Sequence, residues 1–255
     1  MRLRRCDSRP KPLAHPEETI ALCEKCHGQP TCAVAYLLAA APDQASYPVV
    51  LTRYPSGQRV LEQGAPSTGL HVVCEGLMLV TVLSPRGVES VLHLVAAGGS
   101  LDATDNLTQS PTCSVSAETL TDSTIAFIRS ETLRRLLDAD PRFPAKLLPQ
   151  IAAQMRRLEA RYARRDAEKV SARLIQVLLD LVCLGDQTRK HAVILPHGLT
   201  RLALARIVGT TPETLCRVLG RLQRASVIRL KDRSIEIPDV HRLREALTRK
   251  QPRNS

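Results

Sequence analysis

The hydrophobic periodicity of the chain changes near residue 130, and this change constrains the fold more than any other feature. Between about Tyr47 and Ile128, short apolar runs such as Gly76-Leu-Met-Leu-Val-Thr-Val-Leu83 are separated by turn residues such as Ser84-Pro-Arg-Gly87. Several short strands at this spacing predict a β-roll or a small barrel. Further along, apolar residues recur at steps of three and four, which indicates helices. The predicted fold class is therefore α+β.

A narrow apolar stripe marks a long helix that is expected to begin near Pro149. Its members alternate steps of four and three along the chain, and they are Ile151, Met155, Leu158 and Tyr162. This spacing is that of a coiled-coil seam. Charged residues crowd the other faces, so the stripe predicts a homodimer interface. The alternative is a helix that packs on its own domain.

Two further helices are predicted, joined by a tight turn at Gly209-Thr210. The second of them has Thr211 as N-cap, Pro212 at its first position and Glu213 near its positive end. A hairpin pattern in 227–237 follows directly. We interpret this part as a helix-turn-helix with a wing.

The charge is unevenly distributed and indicates a polyanionic partner for the second half of the chain. Residues 1–135 hold 12 basic and 13 acidic side chains, whereas residues 136–255 hold 24 and 12. With no Trp, four Tyr and two Phe, the chain has too few rings to bind single strands by base stacking. Double-stranded DNA is the expected partner.

The outward-facing residues near the front of the second helix are the candidate DNA contacts. An arginine can offer its guanidinium fork to guanine, and a glutamate can accept a hydrogen bond from cytosine N4. The candidates are Thr211, Glu213, Thr214, Cys216, Arg217 and Arg221. The alternative is that these charges form only a solvated helix face.

Residues 1–45 are an arm that contains four of the eight cysteines. Its charged start is not followed by an apolar stretch, and the longest apolar run, Ala33 to Ala41, is far shorter than the roughly 20 residues that span a bilayer. A cytoplasmic protein without membrane association is expected. In that reducing compartment, clustered cysteines indicate metal ligands or redox groups.

The segment 209–222, Gly-Thr-Thr-Pro-Glu-Thr-Leu-Cys-Arg-Val-Leu-Gly-Arg-Leu, resembles the helix-turn-helix of the CRP/FNR family of bacterial transcription regulators. Segments 54–64 and 69–76 resemble that family's cyclic-nucleotide-binding-type β-roll. The resemblance implies a regulator that binds DNA as a homodimer and, if it is an activator, contacts RNA polymerase. It also implies four parts: a cysteine arm (1–45), a β-roll sensor domain (46–144), a dimerisation helix (145–172) and a winged helix-turn-helix (173–250).

The arm carries Cys23, Cys26 and Cys32 in a C-x2-C-x5-C pattern. Its spacing and place before the β-roll resemble the arm that holds an oxygen-labile [4Fe-4S] cluster in the FNR branch. That family's fourth ligand falls, by ungapped alignment, on Ala126. We expect Cys113 to be the fourth ligand instead, with Cys74, Cys6 and a non-cysteine ligand as alternatives.

Two further positions bear on the FNR branch. That branch reads an inverted repeat with TTGAT-type halves through Glu-x-x-Ser-Arg, and the matching residues are Glu213, Cys216 and Arg217. Because a thiol is a weaker donor and acceptor than a hydroxyl, the base read by Cys216 stays open. Leu158 stands where oxygen-responsive relatives carry an acidic residue, so the dimer is expected to survive cluster loss more readily.

Control by a cyclic nucleotide is not expected. The CRP branch clamps the phosphate with an Arg-Ser pair, and the alignment places Cys113-Ser114 there. The stretch from Gly98 to Thr112 contains no basic residue, so a buried phosphodiester would lack a cation.

The cysteines of the arm also allow three other interpretations. A zinc site from Cys23, Cys26, His27 and Cys32 and a thiol-disulfide switch in the arm are both chemically feasible. Cys23-x-x-Cys26-His27 also matches a c-type haem attachment site, which requires export.

Cys183 is expected to be buried on the apolar face of a helix. An enzyme is not expected, because the sequence has no Gly-rich phosphate loop and no Gly-x-Ser-x-Gly motif.

Overall fold

The computed structural model describes residues 11–12, 32–40, 49–165, 169–184, 193–194, 199–231 and 234–248. The chain divides into two compact units, Met1–Met155 and Arg156–Ser255. The expected α+β class is confirmed, because a β-roll occupies the first unit and a helix-turn-helix with a wing occupies the second. None of the helices in the described part combines the length and the apolar character needed to cross a membrane.

Two antiparallel four-stranded sheets form the β-roll, with the orders β1-β2-β8-β4 and β3-β7-β5-β6. Their strands are β1 (Lys11–Pro12), β2 (Val49–Tyr54), β3 (Arg59–Leu61), β4 (Gly69–Glu75), β5 (Leu77–Leu83), β6 (Glu89–Ala96), β7 (Ser116–Thr119) and β8 (Ser123–Arg129). Gly76 joins β4 to β5 with a φ of +97°, and a Cβ there would lie 2.2 Å from the Ser123 hydroxyl oxygen. Only glycine suits this reversal.

The two faces of the first sheet contribute to two separate core clusters. Because successive side chains of a strand point to opposite faces, Val72 and Val73 enter different clusters. The inner core cluster lies between the sheets and contains Leu61, Val73, Met78, Val80, Val95, Leu101, Cys113, Ala117 and Ile125. The outer core cluster contains Cys32, Ala33, Val34, Leu37, Leu51, Leu70, Val72, Cys74, Ala103, Ala126, Ile128, Leu133, Leu136, Phe143 and Leu147.

Helices contribute to the outer core cluster from several parts of the sequence. They are α1 (Ala33–Ala40), α2 (Ala103–Leu107), α3 (Ser130–Ala139) and α4 (Arg142–Arg165). The outer core cluster therefore joins Cys32, the last cysteine of the arm, to the first turns of the long helix α4.

Helix α4 spans Arg142–Arg165 and so begins seven residues before the start expected near Pro149. The reason is a second apolar stripe that the sequence analysis missed. Phe143 and Leu147 are almost completely buried in the outer core cluster, and Ile151 packs against it one turn later. Burial of these side chains favours a helix that starts early and keeps Pro149 inside.

The second unit contains the helices and strands of the predicted winged helix-turn-helix. They are α5 (Val170–Leu184), β9 (Val193–Ile194), α6 (Arg201–Val208), α7 (Pro212–Arg224), β10 (Arg229–Lys231), β11 (Ser234–Ile237) and α8 (Val240–Thr248). The wing strands pair in the order β10-β11-β9. The expected burial of Cys183 is wrong, because the residue is exposed at the end of α5.

Candidate functional site

The turn between α6 and α7 is set by Gly209. Its φ of +71° is left-handed, and its N–H donates to the Ala205 carbonyl at 2.9 Å. Thr210 N–H donates to the same carbonyl at 3.0 Å. Thr211 then caps α7 by accepting a hydrogen bond from the Thr214 N–H at 3.3 Å. The predicted turn and N-cap are confirmed.

One face of α7 is buried and the other is free to meet DNA. The buried face consists of Leu215, Val218, Leu219 and Leu222. Of the candidate DNA contacts, Thr214 is half-buried and the exposed ones are Thr211, Glu213, Cys216, Arg217 and Arg221. The helix therefore presents the predicted residues on one accessible surface, which suits insertion into a major groove.

Charge and hydrogen bonding organise the front of this surface. The Arg217 Nη2 donates to the Thr214 hydroxyl at 3.1 Å, which holds the guanidinium along the helix. The pKa of Glu213 is lowered, first by its own backbone N–H, then by the Thr211 hydroxyl and the nearby positive charge of Arg217. A negative Glu213 beside a positive Arg217 presents an acceptor and a donor fork to base edges.

The wing carries a buried carboxylate between two basic residues. Lys231 Nζ lies 2.9 Å from Glu236 Oε2, and Arg229 Nη1 lies 3.6 Å from Oε1. The hydrogen bond from Lys231 is the main cause of the lowered pKa of Glu236. Leu230 N–H donates to Gln223 Oε1 at 3.1 Å, which ties the wing to α7. Gln223 was missed by the sequence analysis, because its partner is a backbone group.

Of the cysteines proposed to bind a cluster, the structure describes Cys32, Cys74 and Cys113, and all three are buried. Cys23, Cys26, His27 and Cys6 lie outside the described residues. Cys32 and Cys74 belong to the outer core cluster, whereas Cys113 belongs to the inner one. Within the described part of the chain, no group of three or more His, Cys, Asp or Glu residues is placed to hold a metal ion.

The environment of Cys113 does not favour a thiolate. Burial is the first cause of its raised pKa, and the negative charges of Asp102 and Asp105 add to the effect. Its Sγ lies 3.9 Å from the Pro66 carbonyl oxygen. Cys113 and Cys32 thus belong to different core clusters.

Cys74 lies close in register to Ala126, the position where the resemblance to the FNR branch would place a fourth ligand. Val72 pairs with Ala126 across β4 and β8, and the register shifts between Val73 and Glu75, which leaves Cys74 at a bulge. Cys74 and Ala126 both belong to the outer core cluster. Cys74 thus places a sulfur in the same cluster as Cys32.

Buried carboxylates lie beside Cys113-Ser114, where the resemblance to the CRP branch would place the pair that binds a nucleotide phosphate. Asp102 and Asp105 are 1% and 4% exposed. Asp105 Oδ2 accepts a hydrogen bond from the Ser114 N–H at 2.9 Å, and Asp102 accepts one from the His71 N–H at 2.8 Å. The protein's own negative charges therefore bind the N–H donors there.

The stripe on α4 divides into two parts. Met155 and Tyr162 are 60% and 78% exposed, Leu158 is half-buried, and Ile151 packs against its own domain. Leu148, seven residues before Met155, is 59% exposed and extends the exposed part toward the helix start. It was missed because the helix was expected to begin after it.

Comparisons with known proteins agree with these two units. Residues 51–140 match the model of the cyclic nucleotide-binding domain, and residues 172–246 match the Crp-like helix-turn-helix domain. The chain is 30% identical over 186 residues to the probable transcriptional regulator flp of Lacticaseibacillus casei, covering 71% of this chain and 82% of that protein. It is 26% identical over 190 residues to the CRP-like cAMP-activated global transcriptional regulator of Mycobacterium tuberculosis, covering 74% and 84%.

Among solved structures, FixK2 from Bradyrhizobium japonicum has the same fold, with a TM-score of 0.66, 18% identity and coverage of 77% of this chain and 96% of that one. The β-roll, the exposed arginines of α7 and the two matched domains point to the same conclusion. The chain belongs to the CRP/FNR family of DNA-binding transcription regulators.

Proposed function

We propose that this regulator is a cytoplasmic homodimer that senses oxygen or redox state through a [4Fe-4S] cluster. The proposed ligands are Cys23, Cys26, Cys32 and a fourth thiolate. The proposed DNA target is an inverted repeat with TTGAT-like halves. RNA polymerase is a further partner if the protein activates transcription.

The observation that carries the proposal is the burial of Cys32 in the outer core cluster, which Cys74 and the first turns of α4 share. Three cysteines within ten residues provide soft thiolate donors, the type that iron-sulfur clusters require. A fourth donor must come from elsewhere in the fold. Cys74 fits this role better than Cys113, because Cys113 faces the inner core cluster and its pKa is raised.

A bound [4Fe-4S] cluster would supply an iron-sulfur centre whose state oxygen or other oxidants alter. The chain's residues would transmit that change of state to the long helix. Phe143 and Leu147 pack with Cys32 and Cys74 in one cluster of side chains. A change in how the arm packs there alters the surroundings of the helix that carries Met155 and Tyr162. The spacing of two recognition helices in a dimer would depend on that helix.

The DNA-binding part of the proposal is supported by the surface of α7. Glu213 and Arg217 stand at the first and last positions of the Glu-x-x-Ser-Arg pattern, and both are exposed. The intervening Cys216 is exposed as well, so its thiol can approach a base edge. A TTGAT-like half-site is therefore the sequence to test first.

The relative from Mycobacterium tuberculosis is described as cAMP-activated. For this chain we propose a signal other than a cyclic nucleotide. The buried carboxylates of Asp102 and Asp105 support this, because a phosphodiester placed beside them would meet two negative charges. The stretch from Gly98 to Thr112 contains no basic residue, and the His71 imidazole, whose Nδ1 lies 2.8 Å from Asp102 Oδ2, is already engaged by that carboxylate.

The deciding experiment is anaerobic purification of the full chain with iron, zinc and acid-labile sulfide analysis. The proposal expects brown protein with about four iron and four sulfide per chain, and bleaching in air. Colourless protein with one zinc per chain would support a zinc arm, and metal-free protein would support a thiol-disulfide arm. Either result would overturn the cluster.

Matched variants identify the fourth ligand. Cys74→Ala removes a sulfur atom from the outer core cluster, and Cys113→Ala removes one from the inner core cluster. We expect Cys74→Ala to lose most of the iron and Cys113→Ala to keep it. The reverse result would restore Cys113 as the ligand, and full iron in both variants would point to Cys6 or to a non-cysteine ligand.

A further inference from the structure

The hydroxyl of Tyr36 on α1 donates a hydrogen bond to the Asp140 carboxylate, which lies between α3 and α4. The two residues are 104 positions apart in the sequence. The ring of Tyr36 also packs against Phe143, with ring centroids 5.8 Å apart. Tyr36 thus contacts both a residue that precedes α4 and a residue of its first turn.

Asp140 in turn holds the start of α4. Its Oδ1 accepts hydrogen bonds from the Arg142 backbone N–H and from Arg142 Nε, both at 3.0 Å, and its Oδ2 accepts one from Arg142 Nη2 at 3.2 Å. The Phe143 N–H donates to the Asp140 carbonyl at 3.0 Å. These bonds satisfy donors that have no partner within the helix.

Tyr36 lies one helical turn after Cys32, the last cysteine of the arm. Its N–H donates to the Cys32 carbonyl at 3.0 Å. Any rearrangement at Cys32 therefore acts on the residue that holds Asp140. Hydrogen bonds from Arg142 and then from Tyr36 lower the pKa of Asp140, and the bond to Asp140 raises the pKa of Tyr36.

We propose that the Tyr36–Asp140 hydrogen bond transmits the state of the cysteine arm to the long helix α4. Tyr36 is a positioning residue in this scheme, because it acts on DNA binding only through α4. The inference rests on the proposed function, because it assigns the route of its regulation and needs a cysteine arm that changes state. Iron analysis distinguishes a failure of that function from a failure of the transmission route.

The test uses Tyr36→Phe in the full chain, which removes the hydroxyl and keeps the ring on Phe143. Tyr54→Phe is the matched control, since Tyr54 packs against the inner core cluster. The main readout is the ratio of DNA Kd values for air-exposed and anaerobic protein. Hydrogen exchange of the Arg142 and Phe143 amides is the second readout.

We expect Tyr36→Phe to reduce the Kd ratio at least threefold, to speed exchange of both amides, and to leave iron content at the wild-type level. Asp140→Asn should reduce the ratio similarly, and Tyr36→Phe should then add little to it. Faster exchange with an unchanged ratio would make the contact purely structural and overturn the proposal.

Iron analysis of the wild type tests the proposed function separately. If the wild type holds no cluster, that function fails, and the Kd ratio is measured between protein reduced with dithiothreitol and protein oxidised with diamide. A threefold loss of that ratio in Tyr36→Phe would still support the transmission route, and an unchanged ratio would overturn it.

Discussion

The guanidinium of Arg173 donates two hydrogen bonds to the end of α6, from Nε to the Val208 carbonyl and from Nη2 to the Gly209 carbonyl, both at 3.1 Å. Carbonyls at a helix C-terminus have no partner within the helix and carry its partial negative charge. A cation on α5 therefore stabilises the turn that leads into the recognition helix. Sequence analysis missed this role, because nothing in the pattern around residue 173 shows where its side chain ends.

Replacing Arg173 should weaken both the second unit and DNA binding. For Arg173→Gln we expect the free energy of unfolding to fall by about 1–2 kcal/mol, because charge-assisted hydrogen bonds to two carbonyls are lost. Urea denaturation measures this change. Arg244→Gln, which removes the same charge from an exposed position on α8, is the control. Equal effects of the two variants would show that charge alone, and not the turn, is responsible.

Arg217 and Arg221 should differ in how they bind DNA. For Arg217→Ala we expect a loss of about 1–3 kcal/mol on the preferred duplex and relaxed preference at one position of each half-site. Arg221→Ala should instead weaken all duplexes alike and lower the salt dependence of log Kd by about one charge. Fluorescence anisotropy at several salt concentrations distinguishes the two patterns. Uniform loss for Arg217→Ala would remove it from base recognition.

Cys216→Ser should strengthen binding to TTGAT-type half-sites. A hydroxyl is a better hydrogen-bond partner than a thiol, so we expect a gain of roughly 0.5–1.5 kcal/mol. Cys183→Ser provides the control, since this cysteine is also exposed but lies on α5. If Cys216→Ser leaves affinity for TTGAT unchanged and improves another half-site, the chain reads a different sequence.

The helix-turn-helix could be predicted from the sequence because its signals are local. Thr211, Pro212 and Gly209 each act within one turn of their own position. The distribution of the cysteines between the outer and the inner core cluster could not be predicted in the same way. Whether Cys74 or Cys113 shares a cluster with Cys32 depends on the face of β4 that Cys74 occupies and on where the loop before β7 places Cys113, and a bulge shifts the register beside Cys74.

Long-range contacts were the second gap in the sequence analysis. Nothing in the residues near Tyr36 points to Asp140, and nothing near Arg173 points to Val208. The start of α4 was misplaced for a related reason. A proline within a periodic pattern usually marks a helix start. Here the burial of Phe143 in a core built from distant strands makes the helix begin before Pro149, which lies inside it.

The exposed part of the α4 stripe should control association. Met155→Asp should weaken a homodimer by at least tenfold in Kd, because burying a methionine side chain contributes about 1.5–3 kcal/mol and a dimer contains two. Sedimentation equilibrium measures this effect. Leu202→Asp is the control, since Leu202 is 61% exposed and belongs to α6 rather than to the stripe.

Leu158 allows a second test of the same surface. We expect wild-type protein to remain dimeric after exposure to air, and Leu158→Asp to dissociate under that treatment, because like charges would then face each other across the seam. Dissociation of both proteins in air would show that the apolar residue does not protect the dimer. For the other variant of this surface, Met155→Asp, unchanged association of the protein would place the dimer interface elsewhere.

The Asp140 carboxylate should make the stability of the first unit depend on pH. Hydrogen bonds from Arg142 and then from Tyr36 hold its pKa below the ordinary value of 3.8. A depressed pKa in the folded state means that the carboxylate stabilises the fold above its unfolded pKa, and that this contribution is lost as the pH falls through the folded value. Asp140→Asn should therefore be less stable than wild type at pH 7, and the difference should shrink below about pH 4. Urea midpoints measured from pH 7 to pH 3 provide the comparison, with Asp138→Asn on the exposed face of α3 as the control. A difference that stays constant over this range would mean that the amide disturbs the site for a reason unrelated to charge.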